Sequence, residues 1–523
     1  MSIDFKELEE KKILNNNFFN LENNIITDKE RIIFNELDFY LKNYNDEQKK
    51  AIVSNEKRIL CIAGAGTGKT SVLTKRIEFL VKYRGVKSEK ILAITFTKKA
   101  KEEMQKRLIN LGIKTHVETF NSFCEKILKK YGNIIYGKHV KVMNYEDKVI
   151  SLNHVLSFLN ININTAIDKY FSEFQKKNKE INDLYNIFMD DCFFILDYFK
   201  LKNKDIYDFS QDASFSKDKE ISKIIYLICK NLKNYMNLYG FRDYTDQIID
   251  CIKYFKENKN NIPYFYHILV DEYQDINSIQ VELLDLLSPD NLFVVGDPRQ
   301  SIFGWRGSNI KFILNFKDKY KDSEVIVLSK NYRSNNHIVK FMNACIKDLN
   351  FPDISHSFEN KKQISILNFD NENQEFLFVI DKILKSKIPR NEIFILARTN
   401  RQINELSKIM KQMSIKHIVK TDETSNSIIE TRDDITLATI HSIKGLEAEM
   451  VFLIGANEQN FPCKTQDHPI IDLIKIEEYN TEEEEKRLFY VAISRAKNIL
   501  YITYTGKKPT RFINKEMFEI SLS

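Results

Sequence analysis

The stretch Ile62-Ala63-Gly64-Ala65-Gly66-Thr67-Gly68-Lys69-Thr70 constrains this chain most. An apolar strand that turns through glycines into a helix asks for a parallel sheet covered by helices. The turn's backbone N–H groups can cradle phosphate. Lys69 can then reach the β/γ-phosphates and the Thr70 hydroxyl can sit on Mg2+. The first position of the loop is Ala63 instead of the more common glycine. Much later the apolar run His267-Ile268-Leu269-Val270 ends in Asp271-Glu272-Tyr273-Gln274-Asp275. An aspartate at a strand end can hold a metal ion, and the glutamate beside it can polarise water. The two segments together imply hydrolysis of a nucleoside triphosphate.

An α/β rhythm surrounds the loop. Strands are expected over Arg58–Ala63, Ile91–Phe96 and Val117–Phe120, with helices from Lys69 and over Lys98–Leu108. From about Cys124 to Tyr239 the strand pattern thins, and Lys, Tyr and Phe crowd into expected helices such as the one around Tyr170-Phe171. Such interleaving suits single-stranded nucleic acid and equally an amphipathic core with solvated lysines. Strands resume at Ile268–Val270, Leu292–Val295 and Val325–Leu328. They continue at Ile364–Phe369, Ile393–Ala397, Ile435–Ile440, Met450–Ile454 and Ile499–Thr503. One small sheet cannot hold them all, so two α/β domains are expected.

The domain reading is a 1–43 extension with a helical stretch near Lys29–Leu41, a first domain over 44–123 and 240–320, a helical insertion over 124–239, and a second domain over 321–523. The length of 523 residues has room for this, since a domain takes about 100–200 residues. A net charge of +6 permits a nucleic-acid partner without requiring one. The cysteines Cys61, Cys124, Cys192, Cys229, Cys251, Cys345 and Cys463 are scattered, with no C-x-x-C pair. That argues against a zinc or iron–sulfur site and suits a reducing compartment. The charged N-terminus lacks a signal-peptide core, and no apolar run approaches the ~18 residues of a membrane span. The expectation is a cytoplasmic protein with no membrane partner.

Further motifs follow in a fixed order. Tyr44-Asn45-Asp46-Glu47-Gln48 precedes the phosphate loop, and Ile94-Thr95-Phe96-Thr97 and Thr119-Phe120-Asn121-Ser122-Phe123 follow it. Next comes Val295-Gly296-Asp297-Pro298-Arg299-Gln300-Ser301-Ile302-Phe303-Gly304-Trp305-Arg306-Gly307. The last three are Asn331-Tyr332-Arg333-Ser334, Thr439-Ile440-His441-Ser442-Ile443-Lys444-Gly445-Leu446-Glu447 and Tyr490-Val491-Ala492-Ile493-Ser494-Arg495-Ala496. In this order they resemble the superfamily 1A DNA helicases of the UvrD/Rep group, from Tyr44 to Tyr504 except for the helical insertion.

The resemblance implies two RecA-like P-loop domains, with ATP and Mg2+ as the bound nucleotide and metal. ATP would be held by Gln48, the loop residues Ala63, Gly64, Ala65, Gly66, Thr67, Gly68, Lys69 and Thr70, and Tyr332 and Glu447. Mg2+ would sit on Thr70 and Asp271. Lys69, Asp271, Glu272, Gln300, Arg333 and Arg495 would be the catalytic set, with Arg495 as an arginine finger. Arginine suits both finger positions because its planar, permanent charge matches a spreading phosphoryl charge. Single-stranded DNA, or a single-strand/duplex junction, would meet Phe96, Phe120, Asn121, Phe303, Trp305, Arg306 and His441. Trp305 is the sole tryptophan; a lone Trp is most often core, yet its flanking Gly304, Arg306 and Gly307 suit a base platform.

The resemblance also has departures. Asn121 stands where the family usually has His, and Ser71 where many relatives have Arg. Only 398–434 is available for the second-domain insertion that many relatives carry, so it is vestigial or absent. This layout is similar to bacterial DNA helicase IV. After Thr503 no room is expected for a C-terminal nuclease domain. The expected function is an ATP-dependent helicase or translocase on single-stranded DNA, 3′→5′ by resemblance, in repair, replication or defence. Two alternatives stay open: a protein-stripping translocase working with a partner such as a nuclease or repair complex, and a DNA-activated ATPase switch that does not move.

Overall fold

The computed structural model describes residues 25–176, 180–201, 204, 206, 209, 219–359, 363–420, 431–463 and 481–522. In chain order the first strands are β1 (Arg58–Ala63), β2 (Ile91–Thr95) and β3 (His116–Thr119). A short pair, β4 (Lys141–Val142) and β5 (Phe241–Arg242), comes next. Then follow β6 (His267–Val270), β7 (Asn291–Gly296) and β8 (Glu324–Leu328), and a second short pair, β9 (Lys330–Asn331) and β10 (Ser355–His356). The last strands are β11 (Ile364–Phe369), β12 (Ile393–Ala397), β13 (His417–Lys420), β14 (Ile435–Thr439), β15 (Ala448–Leu453) and β16 (Ala496–Thr505). They build two six-stranded sheets, ordered β3-β2-β6-β7-β1-β8 and β11-β16-β15-β12-β14-β13. Every pairing in both sheets is parallel.

Parallel sheets need both faces covered, so their strands are apolar throughout and their side chains divide between two cores. In β1, Leu60 and Ile62 join one core, while Ile59, Cys61 and Ala63 join the other. In β12, Phe394 and Leu396 point to one face, and Ile393, Ile395 and Ala397 to the opposite one. Because β6, β7 and β1 are neighbours, the loops at their carboxyl ends fall side by side, and in such sheets that edge is where ligands bind.

The structure differs from the sequence reading in several places. The expected second domain, 321–523, includes Val325–Leu328, yet β8 pairs with β1 and closes the first sheet, so the chain crosses between sheets after Leu328. The third strand ends at Thr119, and Phe120 opens the helix Phe120–Tyr136. That helix and Tyr244–Glu257 pack on the first sheet through Phe123, Cys124, Leu128, Ile248 and Cys251. The insertion therefore narrows to the segment beyond them, with β4 and β5 paired at its neck. It has a core of its own, including Leu152, Phe188, Phe199, Ile225 and Leu232. Tyr170 and Phe171 lie in that core, 1% and 6% exposed. For these two residues the amphipathic-core alternative is the one the structure supports.

The extension's helical stretch forms two pieces, Asp28–Glu36 and Asp38–Leu41. Phe34 and Leu41 bury against the first sheet; residues 1–24 lie outside the described residues. In the span 398–434, the described residues form the helix Asn400–Gln412 and the strand β13, and 421–430 lie outside the described residues. All seven cysteines are free thiols.

Candidate functional site

The phosphate loop leaves the buried end of β1 and enters the helix Lys69–Lys82 through Gly66 and Gly68, at φ +70° and +86°. Glycine populates this left-handed region without the Cβ clash that other residues meet. The loop is braced from within: the Thr67 hydroxyl donates to the Gly64 carbonyl at 2.9 Å. The Gln48 amide donates to the Thr67 carbonyl at 3.0 Å. Lys69 Nζ folds back onto the Ala63 and Gly64 carbonyls at 2.9 and 3.1 Å. Burial lowers its proton affinity, opposed by Asp297 and Glu272. An ammonium resting in the loop's own mouth marks a cradle suited to an anion.

The loop is also where the second sheet arrives. A Cβ on Gly66 would stand 2.6 Å from Arg333 Cβ, and one on Gly64 would stand 2.7 Å from Ile354 Cδ1. The Tyr332 N–H donates to the Gly66 carbonyl at 2.8 Å, and Asn331 Nδ2 to the Ala65 carbonyl at 2.7 Å. Gly66→Ala should therefore push Arg333 away from the loop. The expected result is a fall in ATP turnover of about tenfold or more, as misplacement near the chemistry brings. The accompanying loss in Tm should be only a few degrees, as about 1–2 kcal/mol of backbone strain predicts. Steady-state ATPase and a thermal melt check this; unchanged turnover would sink the idea.

Behind the loop lie the carboxylates. Asp271 follows β6, is 4% exposed, and accepts from the Glu272 N–H at 2.9 Å. Glu272 takes a left-handed backbone, φ +51°. Burial, reinforced by the Glu272 charge, pushes Asp271 up to about 7. Burial acts the same way on Glu272, but Lys444, Lys69, the Gln274 amide and Arg495 outweigh it and hold it below the usual glutamate range. The two carboxylates adjoin in the chain, Asp271 buried and Glu272 half-buried, and Thr70 is the second residue of the helix Lys69–Lys82. Such hard oxygen donors fit Mg2+.

Two arginines come across from the second sheet. Arg333 Nε binds Glu447 at 2.5 Å and one of its terminal nitrogens donates to the Ser494 carbonyl at 3.1 Å. Arg495 is 1% exposed. It donates to the Val491 carbonyl at 3.0 Å, the Leu446 carbonyl at 3.2 Å and the Ser494 hydroxyl at 2.8 Å. Its fourth contact decides the reading: it donates to Gln300 Oε1 at 3.1 Å. Gln300 Nε2 in turn donates to Asp297 Oδ2 at 2.6 Å, at the end of β7. A phosphate loop and carboxylates on one sheet thus face arginines from the other, joined through one glutamine. The family model for the UvrD/REP helicase N-terminal domain matches residues 44–321. That for the UvrD-like helicase C-terminal domain matches 326–424 and 418–507.

The chain belongs to the UvrD/REP helicase family. This is a family of ATP-hydrolysing enzymes on RecA-like folds. Among curated relatives, a "Probable DNA helicase" of Mycoplasma pneumoniae is 28% identical over 506 residues, 90% of this chain and 87% of that protein. A "Probable DNA helicase II homolog" of Mycoplasma capricolum is 30% identical over 71% of this chain and 51% of its own length. The "ATP-dependent DNA helicase PcrA" of Staphylococcus epidermidis is 31% identical over 72% of this chain and 51% of its own length. The chain thus spans about half the length of the last two.

Within this UvrD/REP frame the residues expected at a nucleic-acid strand fall into two groups. Phe303, Trp305, Arg306 and His441 assemble across the two sheets. His441 lies edge-on to Trp305 with centroids 6.0 Å apart, and 6.1 Å from Phe303. The Arg306 guanidinium sits 4.4 Å over Trp305. Burial, with Arg398, Arg306 and Lys444 nearby, pushes His441 down to about 3, so it is neutral. Phe96 and Phe120 are 6.1 Å apart, edge to face, at the end of β2.

The structure places two of the expected strand contacts against the protein itself. Phe120 is 2% exposed; as the first residue of its helix it turns inward and supports Phe96 instead of presenting a face. The Asn121 amide is engaged by the protein, donating to the Tyr244 carbonyl at 2.6 Å and to Gln247 Oε1 at 3.3 Å. At the nucleotide end, Tyr332 is 43% exposed, a ring with an open face. Glu447 is spent on Arg333 and on Lys497, 3.7 Å away.

Sequence reasoning missed four contributors. Asn331, fully buried, accepts on Oδ1 from the Arg333 and Ser334 N–H groups, both at 2.8 Å. Ile354 covers Gly64 from a segment carrying no motif. Arg398 grips Glu485 with Nε 3.0 Å from both carboxylate oxygens, a pair too distant in sequence for any local signal. Lys444, three residues after His441, donates to the Gln300 carbonyl at 2.7 Å and to Asp275.

Proposed function

We propose that this chain is an ATP-driven motor on single-stranded DNA, a helicase or translocase. The observation that carries this is the placement of Gln300. Its amide joins the Arg495 guanidinium to Asp297, and the same short segment continues to Phe303 and Trp305 beside His441. A change at the phosphates is thereby one turn of chain away from a surface that stacks bases.

In this reading Lys69 and the loop N–H groups bind the β/γ-phosphates, and Tyr332 stacks on the base, whose edge Gln48 reads. Mg2+, held by Thr70 and Asp271, would neutralise phosphate charge. Glu272 takes a proton from the attacking water, Gln300 senses the γ-phosphate, and Arg333 and Arg495 stabilise the charge that spreads at transfer. Phe96, Phe303 and Trp305 grip bases, with Arg306 on the backbone. Resemblance to the UvrD/Rep group supports 3′→5′ movement and a preference for single-strand/duplex junctions. The names of the relatives, DNA helicases all, support DNA as the track.

One observation favours a partner-dependent form of this motor, a translocase that strips proteins or serves a nuclease or repair complex. The C-terminal family model matches in two pieces that overlap at 418–424. Among the described residues, 398–434 holds one helix and one strand. Little chain is left there for a duplex-handling insertion. Among the described residues no helix is long and apolar enough to cross a membrane.

The test is ATPase rate against single-stranded DNA length, with Lys69→Ala as the control for contaminating activity. A rate that rises with length and levels off supports translocation. Stimulation that is flat with length would replace the motor by a DNA-gated ATPase switch. No stimulation by DNA would overturn the reading. Strand displacement measured with and without candidate partners then separates an autonomous helicase from a partnered translocase.

A further inference from the structure

One buried ion pair joins the two sheets close to the carboxylates. Lys444 follows the short turn His441–Ile443 beyond β14 in the second sheet. Asp275 follows β6 in the first. Their side chains are only 10% and 3% exposed. Lys444 Nζ also donates to the Gln300 carbonyl at 2.7 Å and lies 5.2 Å over the Phe303 ring.

On the Asp275 side, Gln274 Nε2 spans the carboxylates of Asp275, at 3.4 Å, and Glu272. Among the described residues Asp275 Oδ1 is buried with no hydrogen-bond partner, and the Lys444 ammonium on Oδ2 is the nearest compensating charge. On the other side, the turn that carries Lys444 begins with His441, whose ring meets Trp305 and Phe303. A base that displaced His441, on the turn just before Lys444, or Phe303, 5.2 Å beneath its ammonium, would act on that ammonium directly. A shift at Lys444 changes what faces Asp275, Gln274 and the Gln300 backbone together, because a buried charge keeps its effect over several ångströms.

We propose that Lys444 is a positioning residue that couples strand binding to nucleotide turnover, with its ammonium holding the Asp275–Gln274–Glu272 cluster and the Gln300 carbonyl in register with the base-stacking turn. This rests on the preceding reading that Phe303, Trp305 and His441 meet a single strand.

The test uses the full chain as wild type, Lys444→Met, Asp275→Asn and the double variant. ATP turnover is measured without DNA and at saturating oligo-dT, together with KM for ATP and the oligo-dT concentration for half-maximal stimulation. Lys444→Met should lower the ratio of stimulated to unstimulated turnover by about tenfold, the scale expected for a buried charged hydrogen bond. Half-saturation should move by less than about threefold, because that lysine is not asked to hold the strand. Asp275→Asn should give a similar loss, and the double variant no further loss, since the two act as one unit.

A preserved ratio in Lys444→Met overturns the proposal. So does a shift in half-saturation with the ratio intact, which makes Lys444 a strand contact. So does a proportional fall of both turnovers, which leaves Lys444 acting on Glu272 alike with and without a strand. A wild type that oligo-dT does not stimulate overturns the motor reading and this inference with it. A stimulated wild type whose ratio survives in both single variants overturns this inference alone.

Discussion

Glu272→Gln should leave ATP binding intact and lower turnover by about a hundred- to ten-thousandfold, the usual span for a positioned general base. Glu272 takes a left-handed backbone (φ +51°) directly after Asp271. Gln274 Nε2 holds one of its oxygens. Lys444, Lys69 and Arg495 keep it ionised in spite of burial, which a base needs before it can accept a proton. Glutamine keeps the shape and the contacts to neighbours but cannot take the proton. Single-turnover hydrolysis, with a fluorescent ATP analogue to follow binding, measures the two effects separately. A loss below tenfold, or a loss explained by weaker binding, would move the base to another group.

Arg495→Lys should be as damaging, by about a thousandfold or more, the range for residues that neutralise phosphoryl charge from across a cleft. The guanidinium is preorganised by Val491, Leu446, Ser494 and Gln300. An ammonium has three donors on a flexible stem and cannot fill four directions in one plane. Burial and the nearby Arg333 push Arg495 down to about 9, so its charge is held at a cost in energy. A γ-phosphate would relieve that cost, which is why the effect should fall on kcat more than on KM. Kinetics run well below Tm keep lost packing out of the comparison. A loss confined to KM would make Arg495 a binding residue only.

The features legible in the sequence are those whose chemistry is local. β1, β6 and β7 could be read because each is an apolar run that ends in candidate site residues: glycines and Lys69, then Asp271 and Glu272, then the segment that carries Gln300. The same reasoning could not assign β8. Its EVIVL pattern fits either sheet, and only its pairing with β1 decides. Phe120 was misplaced because a motif gives a residue's position in the chain but not the phase of the helix it opens. Its inward turn depends on packing against Phe96 and the rest of that core. The insertion's neck at β4 and β5 joins strands of two residues each, too short to leave a period. Lys444–Asp275 and Arg398–Glu485 join residues from distant segments, and such pairs follow from the sheet-to-sheet arrangement alone.

The crossing point after β8 has a mechanical consequence. The described chain passes between the sheets at Ser329, and Asn331 and Tyr332 are fastened to the phosphate loop within the next turn. A lever pivots where it is pinned, and here the pin stands beside the nucleotide. A rotation of one sheet about it displaces Arg333 least and the distant rim of the molecule most. In the proposed motor the fulcrum would sit beside the phosphates, and a small angular change there would become a longer displacement at the far edges of the two sheets.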